Sequence, residues 1–253
     1  MVQSLQRAMR ILMLFTREAS ELRLKDICSH LKLPASTAFR ILRTLETMNF
    51  VTQNPRNGKY RLGMAAFVVG SNVADMNRLV NISLPYIARL SAKYNASAHV
   101  ATEQDGRVLC LEKIENSCNV VKTPFRGAYH ELYLTSVGKS ILAFSHPKRQ
   151  VQLMKDMELK PSTPRTITNK SVLLNELETI NQYGYAIDNC ESVENLYCFG
   201  APILDSSNTA IGAVSVSLNS ARYPDLSANI IKDVRSSALK ISTIMNLSDF
   251  LSL

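Results

Sequence analysis

Two short amphipathic segments joined by a tight turn are the feature that most constrains the first quarter of the chain. Apolar residues recur at helical spacing from residue 5 to residue 15 and again over residues 24–31. Residues 32–33 leave room only for a tight turn, and Pro34 suits the first position of a further helix, where its missing N–H costs nothing. Two short helices joined by a turn of three or four residues have the geometry of a helix-turn-helix.

The helix that begins at Pro34 has one apolar face and one basic face. The side chains expected to face inward are Ala38, Ile41, Leu42, Leu45 and Met48. The outward side chains are Ser36, Thr37, Arg40, Arg43 and Thr44, and no acid interrupts this face before Glu46. Arginine can bind guanine O6 and N7, and hydroxyls can bind base edges or phosphates, so this helix is predicted to contact DNA.

A basic hairpin is predicted immediately after this helix. Two alternating runs, residues 50–53 and 59–62, flank an Asn57-Gly58 pair, and this pair is typical of a tight β-turn. Arg56 and Lys59 would then form a basic wing beside the reading helix. Residues 1–62 are therefore predicted to be a winged helix-turn-helix domain that binds double-stranded DNA. A small three-helix domain that binds another protein is the alternative.

The distribution of charge supports the DNA interpretation. The 253-residue chain carries a net charge of +8, and residues 1–62 alone contribute +7 of it from eleven basic and four acidic side chains. The remaining residues are nearly neutral. Such asymmetry favours a polyanionic partner for the N-terminal segment, although a solvated basic helical surface would give the same count.

Several other classes of protein are disfavoured. No apolar run approaches the roughly 18–20 residues needed to span a bilayer, and the run at residues 11–15 is too short for a signal peptide. We therefore expect a cytoplasmic protein with no membrane partner. The five cysteines form no Cys-x-x-Cys pair and the four histidines are far apart, so we expect reduced thiols, no metal site and no cofactor.

An apolar linker follows the basic domain. Residues 63–82 are predicted to form a linker helix whose apolar positions share one face. An exposed helix so apolar needs a partner, which suggests self-association into a homodimer or a homotetramer. Packing against the second domain of the same chain is the alternative.

Residues 83–253 are predicted to form an α+β domain with a largely antiparallel sheet. A helix is expected over residues 83–94, and strand-like runs flank helical ones through the rest of the chain. The expected strands cover 98–103, 108–113, 118–122, 185–188, 197–203 and 210–218. The expected helices cover 138–144, 149–157, 172–183 and 226–247.

Specific motifs in both halves of the chain resemble those of one known family of proteins. In the basic domain the resemblance lies in VQSLQRAMRIL (2–12), LPASTAFR (33–40) and GKYRLG (58–63). In the second domain it lies in LTSVGKS (134–140), GYAID (184–188), CFGAP (198–202) and AVSVS (213–217). All these motifs, in this order, resemble the IclR family of bacterial transcriptional regulators. The resemblance implies a GAF-like effector-binding domain with one pocket for a small metabolite, often a carboxylate.

Positions of the family's pocket can be carried over motif by motif. The implied effector-binding residues are Ser136 and Val137 through their backbone amides, together with Asp188, Cys198, Ser215 and Ser217. The residues themselves support part of this assignment, because Ser215 and Ser217 alternate with valines and so share one face of a strand. The state of Asp188 stays open: it could remain ionised and bind a ligand hydroxyl, or be protonated and donate to a carboxylate.

The sequence also departs from the family's pattern. Tyr129, Glu131 and Tyr133 replace the usual Arg, Pro and His before the glycine-lysine loop, which predicts a more aromatic and more acidic pocket lip. Asn195 stands where glycine is frequent, and asparagine tolerates a left-handed backbone better than most residues. These changes affect the expected identity of the ligand rather than the fold.

The function that these features predict is a metabolite-responsive transcriptional regulator with no catalytic residues. The winged helix would bind operator DNA, and the second domain would bind a small carboxylate or sugar acid that changes DNA affinity. The alternative is a small-molecule enzyme with an N-terminal nucleic-acid-binding arm. Cys198 could serve such an enzyme as nucleophile, but no histidine has a spacing that nominates it as the base.

Overall fold

A computed structural model describes residues 2–17, 20–115, 125–219 and 223–251. The chain divides into two compact units, Met1–Asn77 and Arg78–Leu253. This division falls inside the segment 63–82 that was predicted to link two domains. The three-part scheme of 1–62, 63–82 and 83–253 stays a prediction.

The first unit is a small helical domain with a β-hairpin. Its helices are α1 (Gln3–Arg17), α2 (Leu24–Leu31) and α3 (Ala35–Thr47), and its strands are β1 (Val51–Gln53) and β2 (Tyr60–Leu62). Ile11, Ile27 and Leu42 are fully buried at the centre of its core. Lys32 adopts the left-handed conformation after α2, and this conformation turns the chain sharply into α3. The predicted helix-turn-helix is therefore present.

Two details of this unit differ from the sequence expectation. Pro34 has an extended ψ of 141° and precedes α3 as its N-cap, so the helix begins one residue later than predicted. Met48 is 60 % exposed because α3 ends at Thr47 and the chain turns there. The hairpin pairs Val51 with Leu62, and its turn depends on Gly58, whose φ of +69° favours glycine.

The predicted single linker helix is wrong. The structure forms a short helix, α4 (Met64–Gly70), and a long one, α5 (Ala74–Tyr94), which also includes the helix expected from residue 83. The side chains of Ser71 and Asn72 donate hydrogen bonds to the Val68 carbonyl at 2.9 and 2.7 Å. Such bonds satisfy the last carbonyls of α4 from outside the helix, and the helix therefore ends there.

The second unit is built on one antiparallel sheet of six strands in the order β5-β4-β3-β8-β7-β6. The strands are β3 (Ser97–Gln104), β4 (Arg107–Ile114), β5 (Tyr129–Glu131), β6 (Ala186–Asn189), β7 (Leu196–Leu204) and β8 (Ala210–Asn219). Asp105 and Gly106 both have positive φ and join β3 to β4, as expected of a tight hairpin. The expected α+β fold with a largely antiparallel sheet is confirmed.

Helices cover the sheet and complete the core. They are α6 (Ser136–Ala143), α7 (Pro147–Asp156), α8 (Lys170–Tyr183) and α9 (Tyr223–Leu251), with a one-turn 3-10 helix at Leu132–Leu134. Each lies within a few residues of its predicted position. β5 was not predicted, and the strand predicted at 118–122 lies outside the described residues. No helix among the described ranges is both long and apolar enough to cross a membrane.

Candidate functional site

The exposed face of α3 carries the residues predicted to contact DNA. Ser36, Arg40, Arg43 and Thr44 are exposed, whereas Thr37 is half-buried. The hydroxyl of Thr44 donates to the Arg40 carbonyl at 3.1 Å, so its oxygen can still accept a further bond. The structure therefore presents these five residues together on one helix.

The two arginines of this face differ in their contacts. Arg43 forms an exposed ion pair with Glu46 at 3.3 Å and lies over the ring of Phe39 at 6.0 Å. No ion pair or hydrogen bond is found for the Arg40 side chain within the described part of the chain. Exposed ion pairs contribute little free energy, so Arg43 can exchange Glu46 for a nucleic-acid partner. Sequence reasoning missed Phe39, which is 46 % exposed on this face beneath the Arg43 guanidinium.

The wing presents its basic residues on a turn fixed by asparagine side chains. Arg56 is exposed and its backbone N–H donates to the Asn54 side chain at 2.9 Å. Lys59 is half-buried and its N–H donates to the Asn57 side chain, also at 2.9 Å. The turn is thus ordered without using either cationic group.

In the second unit, the register of the sheet aligns polar residues in two adjacent rows. One row consists of Asp188, Cys198, Ser217 and Ser97, on β6, β7, β8 and β3. The next row consists of Gly200, Ser215 and His99. Directly opposed residues point to the same face, so four strands contribute to one polar patch.

Helix α6 begins directly over this patch because Gly200 leaves room for it. A Cβ atom at Gly200 would lie 2.7 Å from the carbonyl carbon of Ser136 and 3.0 Å from the Val137 nitrogen. Thr135 caps the helix and accepts a hydrogen bond from Gly138 N at 3.0 Å. The first turn of α6 is therefore held against the sheet, and the positive end of its dipole lies at the patch.

A cavity of about 190 Å³ lies beside the start of α6. Its lining is mostly apolar, with a few hydroxyl, imidazole and thiol groups. The lining residues are His99, Ala101, Val108, Cys110, His130, Leu134, Thr135, Ser136, Val137, Ser162, Ser192, Val193, Leu196, Cys198 and Ser217. No ionised side chain is among these described lining residues. A largely apolar cavity with a few polar groups is the usual form of a small-molecule site.

Four of the six predicted effector-binding residues line this cavity: Ser136, Val137, Cys198 and Ser217. Ser215 lies one row away, where its hydroxyl is 2.7 Å from His99 Nε2. Asp188 is fully buried and also lies outside the lining. Of the residues expected to alter the pocket lip, Tyr129, Glu131 and Tyr133 are all outside the lining too.

Asp188 holds the loop that forms one wall of the cavity. Its carboxylate accepts hydrogen bonds from Glu191 N at 2.7 Å, from Ser192 N at 3.3 Å and from the Ser192 hydroxyl. Burial raises the pKa of Asp188, while the bonds from Ser192 and Glu191 oppose that rise. Asn195, in the same loop, has a φ of +61°, in keeping with the left-handed conformation expected there.

A buried ion pair ties this loop to α6. Lys139 is fully buried, and its Nζ lies 2.7 Å from Glu191 and 3.2 Å from Glu176. Burial raises the pKa of Glu191, and the charge of Lys139 opposes the rise. Removing one partner of such a pair would leave an uncompensated buried charge, so Lys139 is a positioning residue for the cavity wall.

Two histidines are the main lining residues that sequence reasoning missed. Burial, with the charges of His130 and Lys113, lowers the pKa of His99 to about 3. Burial and Arg107 lower the pKa of His130, against the effect of Glu131. The two histidines are far apart in the sequence, and only the pairing of β3 with β4 and of β4 with β5 brings them to one site.

The thiols of the cavity are protonated. Burial raises the pKa of Cys198 well above its usual range, and it raises the pKa of Cys110 to about 12. Ser217 donates to the Cys198 sulfur at 3.2 Å. All four cysteines in the described residues are free, and those residues contain no cluster of side chains suited to a metal ion.

A winged helix with a basic face and a separate domain with a small-molecule cavity define a ligand-binding DNA-binding protein. Two family models match this chain: the IclR helix-turn-helix domain over residues 4–55, and the bacterial transcriptional regulator IclR C-terminal domain over residues 71–243. The chain therefore belongs to the IclR family. It is a transcriptional regulator with an N-terminal DNA-binding domain and a C-terminal effector-binding domain.

Individual relatives agree with this assignment over nearly the whole chain. The chain is 28 % identical over 242 residues to the transcriptional regulator XynR of Escherichia coli K12, covering 95 % of this chain and 96 % of XynR. The crystal structure of Thermotoga maritima IclR is similar with a TM-score of 0.76 and 27 % identity, covering 96 % and 98 % of the two chains. An IclR homolog from Microbacterium hydrocarbonoxydans, complexed with 4-hydroxybenzoate, shares the fold with a TM-score of 0.86, 22 % identity and coverage of 95 % and 98 %.

Proposed function

We propose that α3 and the wing bind operator DNA, and that a small carboxylic acid or sugar acid bound in the cavity changes this affinity. The observation that carries the proposal is the exposed basic face of α3 in one unit together with a mostly apolar cavity in the other. Arg40 and Arg43 contact base edges, and Ser36, Thr37 and Thr44 contact phosphates or base edges. Arg56 and Lys59 contact phosphates.

The start of α6 is the place for the carboxylate of the effector. The first amides of a helix and its dipole favour an anion, and the buried hydroxyl of Ser136 lies at the same point. Ser217 and Cys198 form the wall beyond it. The cavity is somewhat larger than the roughly 150 Å³ that accommodates benzene, so it fits one six-membered ring or an open chain of similar size. The 4-hydroxybenzoate bound by the Microbacterium homolog is an acid of this size.

We infer that the cavity binds its ligand without chemical turnover. The hydrogen bond between Ser215 and His99 resembles a nucleophile with its base, but Ser215 is fully buried outside the cavity lining. An imidazole with a pKa of about 3 is also too weak a base at neutral pH. The thiol of Cys198 is protonated, and a protonated thiol is a poor nucleophile.

The DNA-binding unit also has a surface suited to self-association. Exposed apolar side chains crowd α1 and α4 of the DNA-binding unit, and Leu5, Met9, Phe67 and Val69 are each more than half exposed. We infer that a second copy of the chain covers this surface, giving a homodimer or a homotetramer. We also infer a cytoplasmic location, where a bacterial regulator meets DNA.

Fluorescence anisotropy with operator fragments tests the DNA part of the proposal. Arg40→Ala should cost about 1–3 kcal/mol of binding free energy and relax the preference at one base pair. Arg56→Ala should weaken binding to all sequences and reduce the salt slope by about one. Lys148→Ala removes an exposed charge from the other unit and should change neither. Unchanged affinity and specificity in Arg40→Ala would exclude α3 as the reading helix.

A second titration tests the effector part. Ser217→Ala removes a cavity hydroxyl, and Cys198→Trp fills the cavity. Both variants should bind operator DNA like the wild type when no ligand is present, and both should lose the ligand-induced change in affinity. Full response in both variants would place the effector elsewhere, and loss of operator binding without ligand would mean that these residues serve the fold.

A further inference from the structure

Three buried polar atoms of the cavity lining lack a hydrogen-bond partner in the described part of the chain. They are His99 Nδ1, His130 Nε2 and Ser136 Oγ. His99 is 4 % exposed and Ser136 is 1 % exposed, so bulk water does not satisfy these groups. Buried polar atoms are nearly always hydrogen-bonded in folded proteins, and three exceptions around one cavity indicate a bound molecule that supplies the partners.

The pKa values of both imidazoles are lowered, so both rings are uncharged at neutral pH. Burial is the main cause for both, and the positive charges of Lys113 and Arg107 act in the same direction. A neutral imidazole has one donor nitrogen and one acceptor nitrogen. His99 already uses Nε2 in its contact with Ser215, which leaves Nδ1 for the ligand.

This part of the cavity suits a neutral polar group better than a carboxylate. A carboxylate there would lose its hydration without gaining a cation, because no ionised side chain is among the described lining residues. The first turn of α6 already offers a better place for the negative charge. A hydroxyl both donates and accepts, and it can therefore pair with either tautomer of each histidine.

We propose that the effector is a hydroxy acid whose hydroxyl is bound by His99 and His130, so that these histidines select the hydroxylated acid over its unsubstituted parent. The inference rests on the proposed function and adds the specificity-determining residues of the same cavity. A site built to bond a hydroxyl rejects an analogue without it strongly, because the polar groups of the protein are then left buried and unpaired.

Matched acids that fit the volume provide the test. The full-length protein is titrated calorimetrically with benzoate and its three monohydroxy isomers, and with hexanoate and its monohydroxy derivatives. We expect at least one hydroxylated acid to bind about tenfold or more tightly than its parent, which corresponds to one lost hydrogen bond. Equal binding of parent and hydroxylated acids, or no binding by any member, overturns the inference.

Substitution of His130, the half-buried histidine, tests whether this residue causes the selectivity for the hydroxylated acid. His130→Phe should bring the ratio of the two dissociation constants close to one, because the hydroxylated acid loses a hydrogen bond and the parent acid no longer leaves the imidazole unpaired. His30→Gln, which alters an exposed histidine of the DNA-binding unit, should keep the wild-type ratio. A ratio that persists in His130→Phe and in His99→Asn contradicts the inference, whatever their stability.

Two further measurements separate this inference from the proposed function. Binding by neutral imidazoles predicts an affinity that is constant from pH 6 to pH 8, whereas an imidazolium–carboxylate pair would tighten as the pH falls. A library of amines, phosphates and neutral sugars is assayed in parallel for any change in operator affinity. Parent acids that change operator affinity as strongly as their hydroxylated derivatives would keep the proposed function and overturn the hydroxy-acid assignment, whereas a responder in that library alone would overturn the acid in both. If neither the acids nor the library changes operator affinity, both fail.

Discussion

At the scale of single residues, the cavity is neutral because burial favours the uncharged forms of its titratable side chains. The two lining histidines and the two lining cysteines are all held in their neutral forms by desolvation. The charged groups nearby, Lys139 and Glu191, form an ion pair with each other at 2.7 Å. This pair stabilises the cavity wall, and neither side chain lines the cavity. A neutral, well-ordered lining suits selective binding of a ligand that brings its own charge.

The neutral state of His99 predicts a specific loss of stability in acid. Its folded pKa of about 3 lies below the unfolded value of about 6.5, so its contribution is complete above pH 6.5 and is lost as the pH falls toward 3. Between pH 7 and pH 5 this linkage should lower the free energy of unfolding by about 2 kcal/mol. Urea unfolding of the wild type and of His99→Gln at both pH values should show that difference.

His30→Gln is the control for this measurement, because His30 is exposed. It should follow the wild type at both pH values. Asp188 and Glu191 have raised pKa values and so add stability as the pH falls, but they do so equally in all three proteins. A His99→Gln variant with the pH dependence of the wild type would mean that folding does not lower the pKa of His99.

The role of a binding residue was predictable from sequence only where residues close together in the chain form the recognisable motif or face. Ser217 and Cys198 were assigned from local motifs, and the basic face of α3 follows from the spacing within one helix. His99 and His130 could not be assigned that way, because they reach the same cavity only through the pairing of β3 with β4 and of β4 with β5. Asp188 shows the opposite limit: its motif position suggests ligand contact, but its hydrogen bonds run to its own loop.

At the scale of elements, the cavity depends on how closely α6 approaches the sheet. The glycine on β7 opposite the start of α6 makes the approach possible, since no side chain intervenes there. The sequence predicted both elements to within about two residues, but it could not predict that they touch. The linker shows the same limit, because apolar side chains continue beyond the break between α4 and α5, where the side chains of Ser71 and Asn72 bond to the Val68 carbonyl.

Adding one methyl group at this contact should separate the two elements. In Gly200→Ala the new Cβ would lie 2.7 Å from backbone of Ser136, which cannot move like a flexible side chain. We expect a loss of about 1–3 kcal/mol in the free energy of unfolding and weaker ligand binding, because the shift displaces Ser136 and Val137. Denaturant unfolding and calorimetric titration would measure the two effects.

Gly70→Ala is the matched control, since a Cβ there meets nothing within 4 Å. It should keep wild-type ligand binding and be neutral or slightly stabilising, because alanine favours a helix more than glycine does. If Gly200→Ala were as stable as Gly70→Ala and bound ligand equally well, the close approach of α6 to β7 would not hold the cavity.

At the scale of the whole molecule, regulation requires that ligand binding in one unit bias the arrangement of DNA-binding units. A ligand can shift such an equilibrium only by its difference in affinity for the two states. A single reading helix covers few base pairs, and a two-fold assembly would read an inverted repeat. The exposed apolar surface of the DNA-binding unit is where we expect that assembly to form.

The assembly can be tested on α4, where the apolar surface is densest. Phe67 is 68 % exposed, and Phe67→Asp should disrupt contact between copies because burying an unpaired carboxylate is costly. Light scattering after size exclusion should give the wild type a mass of two or four times the 28.2 kDa chain and give the variant a lower mass. Its affinity for an inverted-repeat operator should fall, while its affinity for a small acid should persist.

Val151→Asp is the control because Val151 is equally exposed, at 68 %, but lies on α7 of the effector-binding unit. That variant should keep both the wild-type mass and the operator affinity. A wild-type mass of 28.2 kDa at micromolar concentration would contradict self-association outright. If both variants kept the wild-type mass, the chain would associate through another surface, and the apolar residues of α4 would need a different partner.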